Sequence, residues 1–195
     1  MTPSPEIAIS LVLADEKDPG LVQLIELCMA NDRQAQELLY RQYYGKAMGM
    51  CMRYFANRDD ALEALNAGFL KVYNNLGSYR FDGAFEGWLF RIIYNSIIDH
   101  CRARMRQVKT VDLEEVNDSQ TGMEALQQLY AVDLLKMLDH LPDASRTVFN
   151  MFAVEGYKHE EIAKTLNISE GTSKWHVNNA RTILKTLIEK SNLRS

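Results

Sequence analysis

Two stretches of helical periodicity, separated by a three-residue polar turn, lie near the C-terminal end of the chain. Residues 159–166 have the spacing of a short helix, and apolar side chains recur at helical intervals from Val177 to Ile188. Between the two, Asn167 tolerates the left-handed conformation of a tight turn, and Ser169 is a preferred cap for the next helix. Two helices joined in this way form a helix-turn-helix pattern, which restricts this part of the chain to a small helical domain.

The rest of the chain also favours helices, because only 10 of its 195 residues are Gly and only 4 are Pro. Apolar spacing and stop signals predict helices over residues 21–55, with a break and a cap at Asn31-Asp32, and a further helix that begins after a cap at Asp59 or Asp60. Two more helices are predicted over Phe85–Arg106 and Glu124–Asp139. Another begins at Leu141-Pro142-Asp143, runs to Val154 and ends near Gly156. Residues 1–20 are interpreted as an arm, and the polar, acidic residues 107–123 as a flexible linker. The prediction is an all-α fold of two small helical domains, residues 21–106 and 124–192.

Charge and cysteine content narrow the class of protein. The net charge is −4, but residues 102–109 are basic and residues 112–118 acidic, so the charge is arranged in patches. Cys28, Cys51 and Cys101 are widely spaced and include no CxxC pair, which argues against a disulfide framework or a structural zinc site. No run approaches the roughly 20 apolar residues of a membrane span and no signal peptide is evident, so we expect a cytoplasmic protein.

The final helix has two different faces. Lys174, Trp175 and Asn178 lie opposite the apolar stripe. Lysine donates to guanine or phosphate, asparagine pairs with adenine, and Thr172 with the free backbone amides of the first turn suits phosphate. This combination predicts a recognition helix that enters the major groove of DNA. The alternative is a solvated surface helix, with Trp175 either a contact residue or packed between helices.

The long helix of the first domain carries a stripe that begins apolar and ends polar. The residues of this stripe are Trp88, Ile92, Asn95, Asp99 and Arg102. One interpretation is a nucleic-acid-facing end; the other is a helix that leaves the core for solvent, with Asp99 paired to Arg102. The loop Tyr79-Arg80-Phe81 likewise suits either stacking on unpaired bases or a plain hydrophobic cluster.

Two sets of short motifs stand out, one in each predicted domain. The first set is Gly68–Tyr73, Phe85–Leu89 and Asn95–Asp99, and the second is Leu141-Pro142, Tyr157, Glu161–Ala163 and Ile168–Lys174. In order and spacing, these sets resemble region two and region four of the extracytoplasmic-function (ECF) sigma factors, over roughly residues 21–192. The resemblance implies a bacterial transcription initiation factor with no catalytic residue, metal or cofactor of its own.

The resemblance also implies partners and contact residues. Region two of this family binds the β′ clamp helices of core RNA polymerase and melts the minus-ten promoter element, while region four reads the minus-thirty-five element and touches the β flap. The implied partners are core polymerase, promoter DNA and an anti-sigma factor, often membrane-bound, with no small-molecule substrate. The implied minus-ten residues are Tyr79, Arg80, Phe81, Asn95, Asp99 and Arg102. The implied minus-thirty-five residues are Thr172, Ser173, Lys174, Trp175, His176, Asn178, Asn179 and Arg181. The implied polymerase-binding residues are Asp60, Glu63, Asn66, Phe69 and Lys71.

Four positions depart from the family pattern. Leu62 and Ala67 stand where carboxylates are expected, and Trp175 and Asn179 replace a small polar residue and an arginine on the recognition helix. Polymerase affinity and promoter sequence therefore stay open, as does whether the two domains move freely or pack together with their DNA faces hidden. The alternatives in function are a stand-alone DNA-binding regulator, a sigma-like interaction protein that does not initiate transcription, and an enzyme, although the chain has no Walker loop, GxSxG or HExxH motif.

Overall fold

A computed structural model describes residues 19–108 and 137–192, and the regular elements in both ranges are helices. The first range, called the first bundle, contains α1 (Pro19–Met29), α2 (Arg33–Tyr54), α3 (Arg58–Asn75), a 3-10 turn (Leu76–Ser78) and α4 (Phe85–Val108). The second range, called the second bundle, contains α5 (Asp143–Phe149), a π-helical turn (Asn150–Val154), α6 (His159–Leu166) and α7 (Glu170–Asn192). The all-α prediction is confirmed for the described residues.

Some predicted segments lie mostly outside the described residues. These are the arm over residues 1–20, the linker over residues 107–123 and the helix over Glu124–Asp139. At their margins two boundaries are corrected, because Pro19 and Gly20 already belong to α1 and α4 continues to Val108. Met105 and Val108 continue the helical spacing of Cys101, so the apolar pattern itself extends two residues beyond the predicted end.

Helix starts follow local capping chemistry, with one correction. Asn31 has a positive φ of 60°, and the Asp32 side chain accepts a hydrogen bond from a backbone N–H in the first turn of α2. The cap of α3 is Asn57 and not Asp59 or Asp60, since the Asn57 side chain accepts from Asp59 N at 2.9 Å. Both aspartates therefore lie in the first turn, where the helix dipole favours carboxylates.

The pairing of α3 with α4 forms the centre of the first bundle. Leu65, Leu89, Ile93 and Ile97 are completely buried, and burial of each such side chain contributes about 1.5–3 kcal/mol. The two helices approach closely at Gly68, where a Cβ atom would lie 3.2 Å from Ile93 Cγ1 and 3.3 Å from Ile93 Cα. This packing holds α4 along its length and so fixes the direction of its polar end.

The second bundle has the local geometry of a helix-turn-helix. Asn167, at the end of α6, adopts the left-handed conformation with φ of 55°, and Ser169 Oγ accepts a hydrogen bond from Thr172 N at 2.9 Å at the start of α7. Gly156, with φ of 76°, follows the π-helical turn. One of its apolar clusters consists of Leu138, Leu141, Phe149, Ala180 and Leu184. The turn and cap predicted for residues 167–169 are therefore present.

The two bundles pack against each other along a contact surface that we call the seam, formed by α2 and α4 on one side and by α5, the π-helical turn and α6 on the other. Arg102 Nε donates to Thr165 O at 2.9 Å. The Arg104 guanidinium lies 2.6 Å from Asp60 Oδ2 in the first bundle and 3.2 Å from Asp143 Oδ2 in the second. The two domains are therefore packed together, but the outward face of α7 is not hidden, because Lys174 and Arg181 are exposed.

Further seam contacts are polar, aromatic and apolar, and one apolar cluster contains residues of both bundles, among them Cys101 and Val148. The Arg53 guanidinium lies 3.3 Å from Glu155 Oε1, and Asn150 Nδ2 donates to the backbone oxygen of Arg53. The rings of Tyr94 and Tyr157 are parallel, with centroids 6.2 Å apart. Among the described residues, the buried atoms Arg53 Nε and Asn150 Oδ1 have no hydrogen-bond partner. Unsatisfied buried polar atoms weaken a contact, so these two groups reduce the stability of the seam.

Candidate nucleic-acid interface

The outward face of α7 is cationic and polar. Lys174 and Arg181 are exposed, and Thr172 and Asn178 are half-buried. The backbone N–H and the hydroxyl of Thr172 both bond to Ser169 Oγ, at 2.9 Å and 2.8 Å. The Ser169 cap therefore satisfies this N–H, which is not free for a phosphate, and that part of the prediction is corrected. The remaining groups have the donor chemistry and the helical spacing of a surface that binds a DNA groove.

Three residues implied at DNA turn toward neighbouring helices instead. Ser173 is completely buried and His176 is 6% exposed. Ser173 Oγ bonds to His159 Nδ1 at 2.9 Å, and Ser145 Oγ bonds to His176 Nδ1 at 3.0 Å and accepts from Asn179 Nδ2 at 3.1 Å. The prediction of direct DNA contact is thus wrong for Ser173 and His176, because both lie on the side of α7 that packs inward.

Trp175 is half-buried at the edge of the same face. Its ring meets the His176 ring edge-on, with centroids 4.9 Å apart. Its indole nitrogen is buried and has no hydrogen-bond partner among the described residues. Of the two interpretations of Trp175, packing between side chains is the one that the structure shows, with part of the ring still open to solvent.

The loop before α4 holds an aromatic cluster. Tyr79 is buried, its hydroxyl donates to Gly83 O, and its ring centroid lies 4.7 Å from that of Phe81 and 5.4 Å from that of Trp88. Phe81 has a φ of 56°, a conformation that bulky residues rarely adopt. Arg80 is exposed. Tyr79 therefore belongs to a hydrophobic cluster, whereas Arg80 and part of Phe81 remain accessible.

Ion pairs occupy the polar end of α4. Lys71 Nζ lies 2.9 Å from Asp99 Oδ2, and an Arg102 nitrogen lies 3.3 Å from Asp99 Oδ1. Asn95, one turn earlier, is exposed. The pairing of Asp99 with Arg102 is thus observed, and Arg102 also reaches Thr165 across the seam. Two residues implied at DNA and one implied at the polymerase form a single network in this arrangement.

Known families match both bundles. The model described as Sigma-70 region 2 matches residues 39–107, and the model described as Sigma-70, region 4 matches residues 131–184. The chain belongs to the sigma-70 family. Because its relatives over most of its length include several ECF RNA polymerase sigma factors, it is a sigma factor of this class, which directs transcription initiation and is not an enzyme.

Several relatives cover nearly the whole sigma factor. RNA polymerase sigma-H factor of Pseudomonas aeruginosa is 27% identical over 91% of this chain and 97% of the relative. ECF RNA polymerase sigma-E factor of Haemophilus influenzae is 25% identical over 85% and 94%. Among solved structures, CnrH in complex with the cytosolic domain of CnrY matches with a TM-score of 0.40 at 21% identity, over 86% of this chain and 96% of that one. RpoE in complex with the anti-sigma factor NepR from Bartonella quintana matches with a TM-score of 0.43 at 22% identity, over 78% and 96%.

Helix α3 of this sigma factor presents most of the residues implied at the polymerase. Glu63, Asn66 and Lys71 are exposed, whereas Asp60 is half-buried and paired with Arg104 across the bundle. Phe69 is only 2% exposed. Its prediction as a contact residue is corrected, because it lies four residues after the buried Leu65 and therefore on the core face.

Leu70 is an outward-facing residue that the sequence interpretation did not single out. Its side chain is 61% exposed, the most exposed of the large apolar side chains in the described residues. It lies four residues after Asn66, so the two share a face of α3. An apolar residue in phase with exposed polar ones was the signal that could have identified it.

Neither a metal site nor a membrane span is found in the parts of the chain that the structure describes. No group of three or more His, Cys, Asp or Glu side chains within those ranges could hold a metal ion. No helix there is long and apolar enough to cross a bilayer.

We expect His176 to make the stability of the sigma factor depend on pH. Burial lowers the pKa of His176 from 6.5 to about 4, so the folded chain keeps this ring neutral where the unfolded chain binds a proton. The free energy of unfolding is therefore unaffected by this group above pH 6.5, and it falls as the pH drops from 6.5 toward 4, by up to about 3 kcal/mol. Urea denaturation of the parent and of His176→Gln over this range measures the effect, because acidic groups titrate alike in both. Identical pH profiles for the two proteins would contradict it.

Proposed function

We propose that the outward face of α7 reads the minus-thirty-five element, that the Arg80–Phe81 loop and the end of α4 bind the minus-ten strand, and that the outward face of α3 binds core polymerase. The observation that carries the first assignment is the exposed pair Lys174 and Arg181 on a capped recognition helix. Exposed donors on such a helix can reach base edges and phosphates in the major groove.

The proposed contacts on α3 are Glu63, Asn66 and Leu70. All three are exposed, and they combine a carboxylate, an amide and an apolar side chain. Interfaces commonly place an apolar residue among polar ones in this way. The carboxylates expected at Leu62 and Ala67 are absent, so we infer that Leu70 contributes more to polymerase binding here than charge does. Because core polymerase is its proposed partner, we also propose that the protein works in the cytoplasm. An anti-sigma partner stays a prediction.

Both promoter elements cannot be bound at once in the packed arrangement. The elements are centred about 25 base pairs apart, which is roughly 85 Å of B-DNA at about 3.4 Å per base pair. Arg102, from the minus-ten set, contacts Thr165, and Lys174 follows Thr165 by nine residues, which span at most about 30 Å. We therefore propose that the packed form is free of DNA and that the bundles separate on promoter binding. Residues 109–136 join them, and a segment of that length spans at most about 100 Å.

Run-off transcription with purified core polymerase and a pool of promoter fragments tests the assignment of α7. We expect initiation that depends on this protein, and we expect Lys174→Ala to reduce it by about tenfold at promoters with a minus-thirty-five element, because one good base contact discriminates by about 1–3 kcal/mol. Lys185→Ala is the matched control, since Lys185 is an exposed cation farther along the same helix.

The outcomes separate the candidate functions. Initiation by the parent with equal loss in both variants would mean that α7 acts only through its charge. Sequence-specific promoter binding without polymerase would favour a stand-alone regulator. A folded parent that binds polymerase but starts no transcript would favour a sigma-like interaction protein.

A further inference from the structure

The inward side of the recognition helix carries polar groups that bond to two other helices. Ser173 bonds to His159 on α6, and His176 bonds to Ser145 on α5. Ser145, Ser173 and His176 are each less than one-tenth exposed. Helices α5 and α6 thus each bond to α7 through one hydroxyl–imidazole pair.

The hydroxyl of Ser145 joins two side chains of α7. Asn179 Nδ2 donates to Ser145 Oγ at 3.1 Å. His176 Nδ1 lies 3.0 Å from the same oxygen, within hydrogen-bond distance. The chain of bonds from Asn179 through Ser145 to His176 is complete only at one rotation of α7 against α5.

Such bonds restrict a helix more sharply than apolar packing does. Apolar contacts tolerate small rotations, whereas a hydrogen bond weakens outside a range of about 0.5 Å. At about 6 Å from the helix axis, a rotation of about 20° moves a side chain by about 2 Å. The inward bonds of Ser173 and His176 therefore decide where the outward side chain of Lys174, which lies between them in the sequence, meets a base pair.

We propose that Ser145, His159, Ser173 and His176 are positioning residues of the recognition helix, and that by fixing its rotation they set how sharply the minus-thirty-five element is discriminated from related sequences. This inference rests on the proposed function of α7. It assigns the four residues a role through Lys174 and its outward neighbours, and not through contact with DNA.

The proposal is tested by removing the His176 side of one hydroxyl–imidazole pair, either alone or together with its Ser145 partner. The variants are His176→Leu, the apolar pair Ser145→Ala/His176→Leu, and His176→Gln, whose amide can still bond to Ser145. Thr186→Ala is the matched control, because it deletes an exposed hydroxyl on the same helix that donates to the backbone oxygen of Thr182 in the preceding turn. For each protein, run-off transcription compares the promoter selected in the pool with versions that carry single base-pair changes in the minus-thirty-five element, and thermal unfolding is measured in parallel.

We expect the parent to discriminate by about 5- to 150-fold per base pair, the usual range for specific complexes. Discrimination should fall by at least about threefold in the apolar pair, even where its melting temperature matches the parent. It should be retained in His176→Gln and Thr186→Ala. A stable apolar pair with the discrimination of the parent would overturn the proposal, and so would a loss of discrimination in His176→Gln equal to that in the apolar pair. A parent that starts no transcript at all would instead remove the proposed function.

Discussion

We expect Asp143→Asn/Glu155→Gln to speed the reaction of Cys101 with Ellman's reagent by about two- to thirtyfold. The double substitution removes the second-bundle carboxylates from two ion pairs across the seam, with Arg104 and Arg53. The paired side chains are between 28% and 52% exposed, so each pair contributes only about 0.2–1 kcal/mol. Loss of both ion pairs therefore raises the population of separated bundles, and with it the labelling rate of Cys101, by about two- to thirtyfold.

Cys101 is a suitable reporter because it lies under the second bundle. It is 3% exposed, and its thiol contacts the Thr147 side chain of α5. Burial raises the pKa of the Cys101 thiol to about 11, which keeps it protonated and unreactive in the packed form. Asp143 itself raises this pKa further, so Asp143→Asn changes the thiol as well as the seam. Glu155→Gln alone, at a residue outside the causes of that pKa shift, is therefore the cleaner single variant.

Two controls assign the signal. Cys101→Ser identifies which of the three buried thiols reacts. Glu160→Gln/Glu189→Gln makes the same change in net charge at two exposed carboxylates of α6 and α7 that are not part of the seam. We expect this control to label at the rate of the parent. Fast labelling of Cys101 in the parent would show that the bundles do not stay packed, and equal rates in all variants would show that the ion pairs do not hold the seam.

Features set by neighbouring residues were predictable from the sequence. The left-handed turn at Asn167 and the cap at Ser169 depend on side chains one to three residues away, and both were predicted correctly. The cap of α3 was not, because Asn57, Asp59 and Asp60 all have capping side chains and only the backbone shows which one precedes the first turn. The partners of Arg104 lie 44 and 39 residues away along the chain, at Asp60 and Asp143, so no local pattern indicates the seam.

The candidate site shows the same division. Lys174 was correctly placed outside the apolar stripe, because helical phase alone decides that. Ser173 and His176 were placed on DNA because of their chemistry, although Ser173 lies four residues before Val177 and His176 four before Ala180, both of which are buried. The helical phase of both residues therefore indicated burial, but the prediction gave more weight to their polar chemistry. Their partners, Ser145 and His159, lie on other helices and could only be found in the structure.

We expect Gly68→Leu to lower the free energy of unfolding by about 3 kcal/mol or more. Even a single Cβ at Gly68 would lie 3.2 Å from Ile93 Cγ1 and 3.3 Å from the backbone Cα of the same residue, which is closer than ordinary contact. The Ile93 backbone belongs to α4 and cannot move aside as a side-chain tip can, so a larger side chain must push α3 and α4 apart. Urea denaturation followed by circular dichroism measures the loss.

Gly49→Ala is the matched control for this substitution. Gly49 is also helical, but a Cβ there would meet nothing within 4 Å, so alanine should stabilise the protein by about 0.5–1 kcal/mol through its lower conformational entropy in the unfolded chain. Gly68→Ala combines both effects: the same gain in helix propensity acts against a contact that is a few tenths of an ångström too short. It should therefore be less stable than Gly49→Ala, and the difference measures how rigidly α4 is held. Equal stability of the two alanine variants would show that α4 yields at Ile93, in which case the polar end of α4 is not fixed by this contact.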